Sequence, residues 1–288
     1  MSQVLFSIIT VVRNNINTIE KAILSVVENK PDFIEYVVID GQSTDGTLDV
    51  INKYKDKIDI FISEKDSGAT NAMAKGAKLA KGKYIGYVFA DDFYEGDILK
   101  NAKIIADHKS PDIISLPCKF IDENNQVLRT FESYDQKSLN IYNALYYPNI
   151  GAKLIKKDVF IENNYFWEQD DDGSNFIAAD LEFILKCVLN KKSFDILDNS
   201  GFYNYLVHQN STTFGNNRRT ILKCYKEHVK IYNRIKTSYK TIDKTDYKVL
   251  KKWYLRALSR IICYELIETN IINSLKTLLT LIVNLYKY

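Results

Sequence analysis

"YIGYVFADDFY", residues 84–94, sets the problem. From Tyr84 to Ala90 the chain is aromatic, β-branched or small, the make-up of a strand buried on both faces. Asp91 and Asp92 follow at once. Adjacent carboxylates repel, and burying them without partners is costly. A strand ending on such a pair predicts a positive charge between the carboxylates and a ligand.

The same pattern repeats upstream. "VLFSIITVV" (4–12), "IEYVVID" (34–40) and "IDIFIS" (58–63) read as further buried strands. Between them, "TIEKAILSVVE" (18–28) has apolar residues at helical spacing, and Thr44 or Asp45 can cap a helix near 47–55. "DSGATNAMAKGAKLAKG" (66–82) is a loop entering a helix that stops near Gly82. Strands alternating with helices at these lengths predict βαβ units and a parallel sheet. Ligands of such sheets bind beyond the carboxyl ends of the strands. Asn14, Asp40, Asp66, Asp91 and Asp92 all collect at those ends.

Four segments carry a family resemblance: "SIITVVRNN", "VVIDGQSTDGT", "SEKDSGATNAMAKGAKLAKGKYIGYVFADD" and "FIAADLEFILK". Their order resembles that of family 2 glycosyltransferases with the GT-A fold, over roughly residues 4–215. The resemblance implies an α/β fold with a Rossmann-like, mainly parallel sheet, and inversion at a sugar's anomeric carbon by single displacement. It implies a nucleotide-sugar donor, with UDP as the expected nucleotide, and Mn²⁺ or Mg²⁺ as cofactor. A hard cation needs carboxylate oxygen while negative charge builds on the departing diphosphate. By resemblance Asp91 is the direct metal ligand, Asp92 belongs to the metal site with it, and His208 of "HQNSTT" ligates the metal or bonds a phosphate. Thr10, Val11 and Arg13 match positions lining base and ribose, and Ala90 belongs to the same donor site. Asp40 either contacts the nucleoside or caps the turn at 43–47. Asp66 matches the residue that bonds the pyrimidine edge, and Gly68 lets the backbone turn closely around the nucleotide. Lys75 reaches a phosphate or sits on a solvated helix face, and Ser211 bonds a phosphate.

The acceptor hydroxyl needs a general base as it attacks. Asp180 matches the family's base, at the start of a helix expected over 176–192. A helix N-terminus lowers a carboxylate's pKa and keeps it ionised. Helix capping is the plainer role for this residue. Glu182 should point elsewhere. Two departures stand out. Phe89 occupies the first position of the family's D-x-D element, where a phenyl ring holds no metal and bonds no hydroxyl. Ile150-Gly151 replaces a His-Gln pair on the acceptor side.

The remaining sequence bounds the reading. The 288 residues, 46% hydrophobic, with 4 Pro and 11 Gly, fit a globular chain with a real core. Cys118, Cys187, Cys224 and Cys263 form no C-x-x-C or zinc pattern and read as buried thiols of a reducing compartment. The N-terminus reads as a first strand and not as a signal peptide, and no run of apolar residues is long enough to span a bilayer. Net charge is +3, yet residues 218–260 alone carry +11 against −8 elsewhere. From 110 onward the reading is a strand pair or strand-turn-strand over 112–132, more strand over 194–208 and almost pure helix over 218–288, with a break near 236–246. This divides the chain into a GT-A catalytic domain, 1–215, and a helical extension, 216–288. Basic amphipathic composition over 247–288 predicts either a peripheral contact with the inner face of the cytoplasmic membrane or packing against the catalytic domain or a second copy, as a homodimer. No recognition fold for nucleic acid accompanies the basic residues.

The expected function is transfer of a sugar to a hydroxyl of a bacterial glycan acceptor, a polysaccharide, lipopolysaccharide or lipid-linked chain of the cell envelope, handled on the cytoplasmic side. Two rivals remain. A sugar nucleotidyltransferase would want a glycine-rich loop after the first strand, where "TVVRNNINT" has none. A catalytically silent, nucleotide-sugar-binding scaffold would explain Phe89 but not the retention of Asp91, Asp92 and Asp180. A dehydrogenase is disfavoured because no G-x-G-x-x-G follows a strand.

Overall fold

The protein's computed structural model describes residues 4–28, 30–131, 139–146, 150–166, 176–198, 200–208, 217–267 and 271–286. The first half alternates as expected: β1 (Phe6–Val12), α1 (Ile19–Val27), β2 (Ile34–Asp40), α2 (Thr47–Asn52), β3 (Ile60–Ser63), α3 (Ala69–Leu79) and β4 (Tyr84–Tyr87). Next come β5 (Phe93–Gly96), α4 (Ile98–His108), β6 (Ile113–Ser115), β7 (Cys118–Ile121), β8 (Val127–Phe131) and α5 (Ile141–Tyr146). Then follow β9 (Lys153–Lys156), α6 (Lys157–Glu162), α7 (Ala179–Leu189), β10 (Phe194–Ile196) and β11 (Gly201–Leu206). Three helices close the chain: α8 (Arg218–Ser238), α9 (Lys244–Ile267) and α10 (Ile271–Tyr286).

Seven strands form the main sheet in the order β10-β6-β9-β4-β1-β2-β3. Every residue of β1 and β2 is buried, as their continuous β-branched runs require of strands covered on both faces. β1, β2, β3 and β4 are parallel neighbours, and the register Val12↔Asp40↔Ser63 brings three of their carboxyl ends level. β9 departs from the parallel expectation and runs antiparallel between β4 and β6. A second sheet, β5-β11-β7-β8, stands beside the first.

Helices α1, α2 and α4 cover one face of the main sheet together with the second sheet. The other face is covered by α3, α5, α6 and α7, and also by α8 and α9. Ile231, Tyr232 and Ile235 of α8, with Leu250, Trp253, Tyr254 and Leu258 of α9, belong to one buried cluster with Ile9, Val11 and Tyr87 of the sheet. Hydrophobic core therefore runs across position 215/216. α10 differs: Leu275, Leu278, Leu279 and Ile282 are exposed along one stripe.

Gly151 shows why this chain carries a small residue ahead of β9. A Cβ there would strike the ring and hydroxyl of Tyr203 on β11. Tyr203 is fully buried and packs edge-on against Tyr94 of β5 at 5.7 Å.

Candidate active site

A cleft of about 560 Å³ opens at the carboxyl ends of β1 and β4. Its lining includes Val11, Arg13, Asp66, Gly68, Phe89, Ala90, Asp91, Asp92, Asp180 and His208. Residues up to 197 positions apart in the chain thus face one space, which only the register of the sheet can arrange.

The two aspartates of the opening stretch separate in role. Asp91 remains partly open to the cleft, and its Oδ2 lies 3.0 Å from His208 Nε2. Asp92 is 1% exposed. Its Oδ1 accepts from the Leu206 N–H at 2.9 Å, and its Oδ2 accepts from the Tyr203 hydroxyl. Burial, and then the neighbouring Asp91 charge, push the Asp92 carboxyl well above the usual carboxylate range. Asp92 is therefore corrected from metal ligand to a joint between the end of β4 and strand β11. Sequence adjacency could not separate the two, because both lie in the turn after β4, and Tyr203 and Leu206, the partners that occupy Asp92, come from β11 far along the chain.

Three other sequence expectations are corrected on the same ground of committed side chains. Thr10 is fully buried, and its hydroxyl pairs with that of Tyr36 at 2.9 Å, so it does not line the cleft. Asp40 is fully buried and accepts from the Ser43 N–H, the Ser43 hydroxyl and the Ser63 hydroxyl, which is the turn role and not the nucleoside role. Lys75 is ion-paired with Glu64 and lies outside the cleft lining. Ser211 lies outside the described residues.

The end of the cleft beside β1 is built on loops tied to one another. Asn14 N–H donates to Ser43 Oγ and Asn14 Oδ1 accepts from Thr44 N–H, both at 2.8 Å. Asp45 is the turn residue: it accepts from Thr47 N–H at 3.0 Å and from Ile16 N–H at 3.1 Å. This lacing holds Arg13 at the cleft edge. Asp66 Oδ1 accepts from Gly68 N–H at 2.9 Å. Gly68 has φ +134°, a conformation L side chains rarely adopt, and it leads directly into α3. Ala69 and Thr70, at the positive end of the α3 dipole, also line the cleft.

Asp180 is the second residue of α7 and reaches the cleft at its far side. Its side chain is partly open to the cleft yet surrounded by protein, and burial pushes its carboxyl up to about 6. The sequence expectation, that the helix N-terminus would lower it, is overturned: desolvation outweighs the Leu181 N–H that Oδ1 accepts at 2.8 Å. Glu182 points away, as expected, to Arg234 at 3.0 Å and Lys186 at 3.2 Å. Sequence reasoning placed Asn14 at the strand ends but missed Asn15, Ile177, Met73 and Tyr205 as lining residues. Their apolar or amide character gave no chemical signal.

The donor set bears on a divalent cation. Asp66, Asp91 and Asp180 share the cleft with Arg13 and the imidazole of His208. A diphosphate entering so acidic a cleft needs added positive charge. Among the described residues no group of three His, Cys, Asp or Glu converges as a protein-only cage. Asp91 with His208 is the set that fits, because a hard cation at such a site completes its shell with phosphate oxygens.

A cleft at the carboxyl ends of a mainly parallel sheet, with a second small sheet beside it and carboxylates just after β4, defines a GT-A-type fold. The family model for glycosyl transferase family 2 matches residues 7–163, and the chain belongs to that family. A curated relative is the poly(ribitol-phosphate) beta-N-acetylglucosaminyltransferase TarS of Staphylococcus aureus, 24% identical over 205 residues, covering 69% of this chain and 35% of TarS. The chain thus matches only about a third of that relative's length. Among solved structures, S. aureus TarS 1–349 with UDP-GlcNAc superposes with a TM-score of 0.71 at 18% identity, over 90% of this chain and 81% of that one. The mannosyltransferase PcManGT of Pyrobaculum calidifontis, with GDP-Man and Mn²⁺, gives 0.61 at 16% identity, over 98% and 81%. Among the described residues no helix is long and apolar enough to cross a membrane.

Proposed function

We propose that the protein is an inverting, metal-dependent glycosyltransferase that moves a sugar from a UDP-sugar to a hydroxyl of a bacterial surface glycan or lipid-linked acceptor. The observation that carries this reading is the shared cleft of Asp66, Asp91, His208 and Asp180. UDP-GlcNAc, the ligand of the TarS structure, is the donor to try first.

Each residue has a role in this reading. Asp66 accepts from the ring N–H of the pyrimidine, and Arg13 with the start of α3 meets the phosphates. Asp91 and His208 would hold Mn²⁺ or Mg²⁺, which when bound neutralises charge on the diphosphate leaving group. The acceptor oxygen attacks the anomeric carbon from the side opposite the diphosphate. Asp180 takes the hydroxyl proton, and the anomeric C–O bond breaks with its electron pair left on the β-phosphate. A base with a pKa near 6 is ionised at neutral pH and still basic enough to accept that proton. The exposed stripe of α10, with exposed Lys252, Arg256 and Arg260 on α9, supports contact with an anionic membrane surface, where lipid-linked acceptors lie.

Calorimetry of UDP binding with and without Mn²⁺ tests the reading on the intact chain. Binding that requires the metal is expected. A folded protein that binds no UDP under either condition overturns the UDP-sugar assignment.

A further inference from the structure

Helix α8 grips the start of α7 at two points. Glu227, 1% exposed, accepts from the Ala178 N–H at 2.8 Å through Oε2. Ala178 is the residue that immediately precedes α7, between Ile177 and Asp180, both of which line the cleft. Seven residues on, two turns along the same face of α8, Arg234 Nη1 donates to Glu182 Oε2 at 3.0 Å. The Arg234 guanidinium also lies over the Phe176 ring, 5.0 Å from its centroid. Ile231, fully buried in the core, sits between the two grips. Cys224, on α8 three residues before Glu227, lies within electrostatic reach of Asp180. Burial pushes its thiol up to about 12, and the charges of both Glu227 and Asp180 add to the rise.

We propose that Glu227 is a positioning residue, which fixes the 176–180 turn so that Asp180 is aimed at the acceptor hydroxyl. The inference rests on Asp180 being the general base. The first N–H groups of a helix have no partner within it, and the residue before α7 has no capping side chain of its own. A carboxylate is the acceptor best suited to that place, since it also meets the positive end of the helix dipole. Burying a carboxylate is costly, and an apolar side chain would fill the same volume more cheaply. Lys223 Nζ, 3.8 Å from Glu227 Oε1, offsets part of that cost. The expense is understandable where the turn it holds carries the base, because small misplacements of reacting groups lower turnover steeply. The helical extension is then part of the active site, although none of its described residues lines the cleft.

The experiment compares Glu227→Ala, Glu227→Gln, Glu227→Asp and Asp180→Asn in the full chain. It follows UDP release from UDP-GlcNAc with water or glycan as acceptor, and UDP affinity by calorimetry. Glu227→Ala is expected to lower kcat about 10–100-fold, with KM for UDP-GlcNAc and UDP affinity near the parent's. Glu227→Gln, which keeps an acceptor oxygen, should restore most of kcat. Glu227→Asp keeps the charge but shortens the reach by one methylene; it should lower kcat with UDP affinity intact, and it serves if the alanine variant does not fold. In the Asp180→Asn background Glu227→Ala should cause no further loss. An inactive Asp180→Asn beside unchanged kcat in Glu227→Ala overturns the positioning role alone. So does a joint loss of kcat and UDP affinity that glutamine does not rescue. Full turnover in Asp180→Asn removes the base reading and this inference with it.

Discussion

Replacing Asp180 by Asn should make the protein inactive and, above pH 6, more stable. An unperturbed Asp carboxyl titrates near 4, whereas burial places this one at about 6 in the folded protein. The folded state therefore holds its proton over a range where the unfolded chain has lost it. For a carboxyl with a raised pKa the sign is unfavourable at high pH: stability falls as pH rises from about 4 to about 6, and stays reduced above that. Two pKa units correspond to about 3 kcal/mol, and partial opening to the cleft reduces this to about 1–3 kcal/mol. Asn is neutral and still accepts from the Leu181 N–H, so the cost disappears while the contact remains. Thermal melts at pH 8 should show Asp180→Asn about 2–8 °C above the parent, and melts at pH 4 should bring the two together. Turnover of the parent should fall as pH drops through about 6, and that of the variant should be lower by about 10²–10⁴-fold at pH 8. A variant less stable than its parent at pH 8 would refute the claim that desolvation governs this carboxyl. An active one would refute its role as base.

Three further outcomes follow from the roles of individual residues. Asp91→Asn should abolish the Mn²⁺ dependence of UDP binding in calorimetry while the melting temperature stays near the parent's; unchanged metal dependence would remove Asp91 as ligand. Asp92→Ala should behave in the opposite way, losing about 1–3 kcal/mol of stability in denaturant titrations because the Leu206 N–H and Tyr203 hydroxyl lose their acceptor. A stable Asp92→Ala that has lost metal-dependent binding would reverse the assignment made here. Leu278→Glu with Leu279→Glu should cut cosedimentation with phosphatidylglycerol vesicles without changing UDP affinity. If the pair instead changes the sedimentation coefficient and vesicle binding is absent from the start, the α10 stripe joins copies of the chain.

The sequence made the donor half legible because its signals are local. Buried runs such as Phe6–Val12 and Ile34–Asp40 name themselves, and the carboxylates at their ends mark the rim. It did not reveal β5 and β9, four residues each, whose pairing depends on partners far along the chain. The same limit explains the site residues. Thr10, Asp40 and Asp92 have the chemistry of ligand contacts, but each is satisfied by a neighbour from another element, Tyr36, Ser63 or Tyr203. Spacing says which residues reach the rim and not which are already occupied. The pKa of Asp180 was illegible for a related reason, since the protein that surrounds it includes α8, some 50 residues away.

The reversed direction of β9 has a consequence for how such a protein can change. Because β9 runs against β4 and β6, its beginning lies beside their ends: Leu154 pairs with Gly86 and Lys153 with Ser115. Ile150, just ahead of it, reaches the cleft there. The lining of the cleft thus comes from two stretches of sequence, one between residues 11 and 92 and one between residues 150 and 208. On the proposed reading, exchange of the later stretch between homologues would replace the base Asp180 and the metal-side His208 together, while Arg13, Asp66 and Asp91 stay in the earlier one.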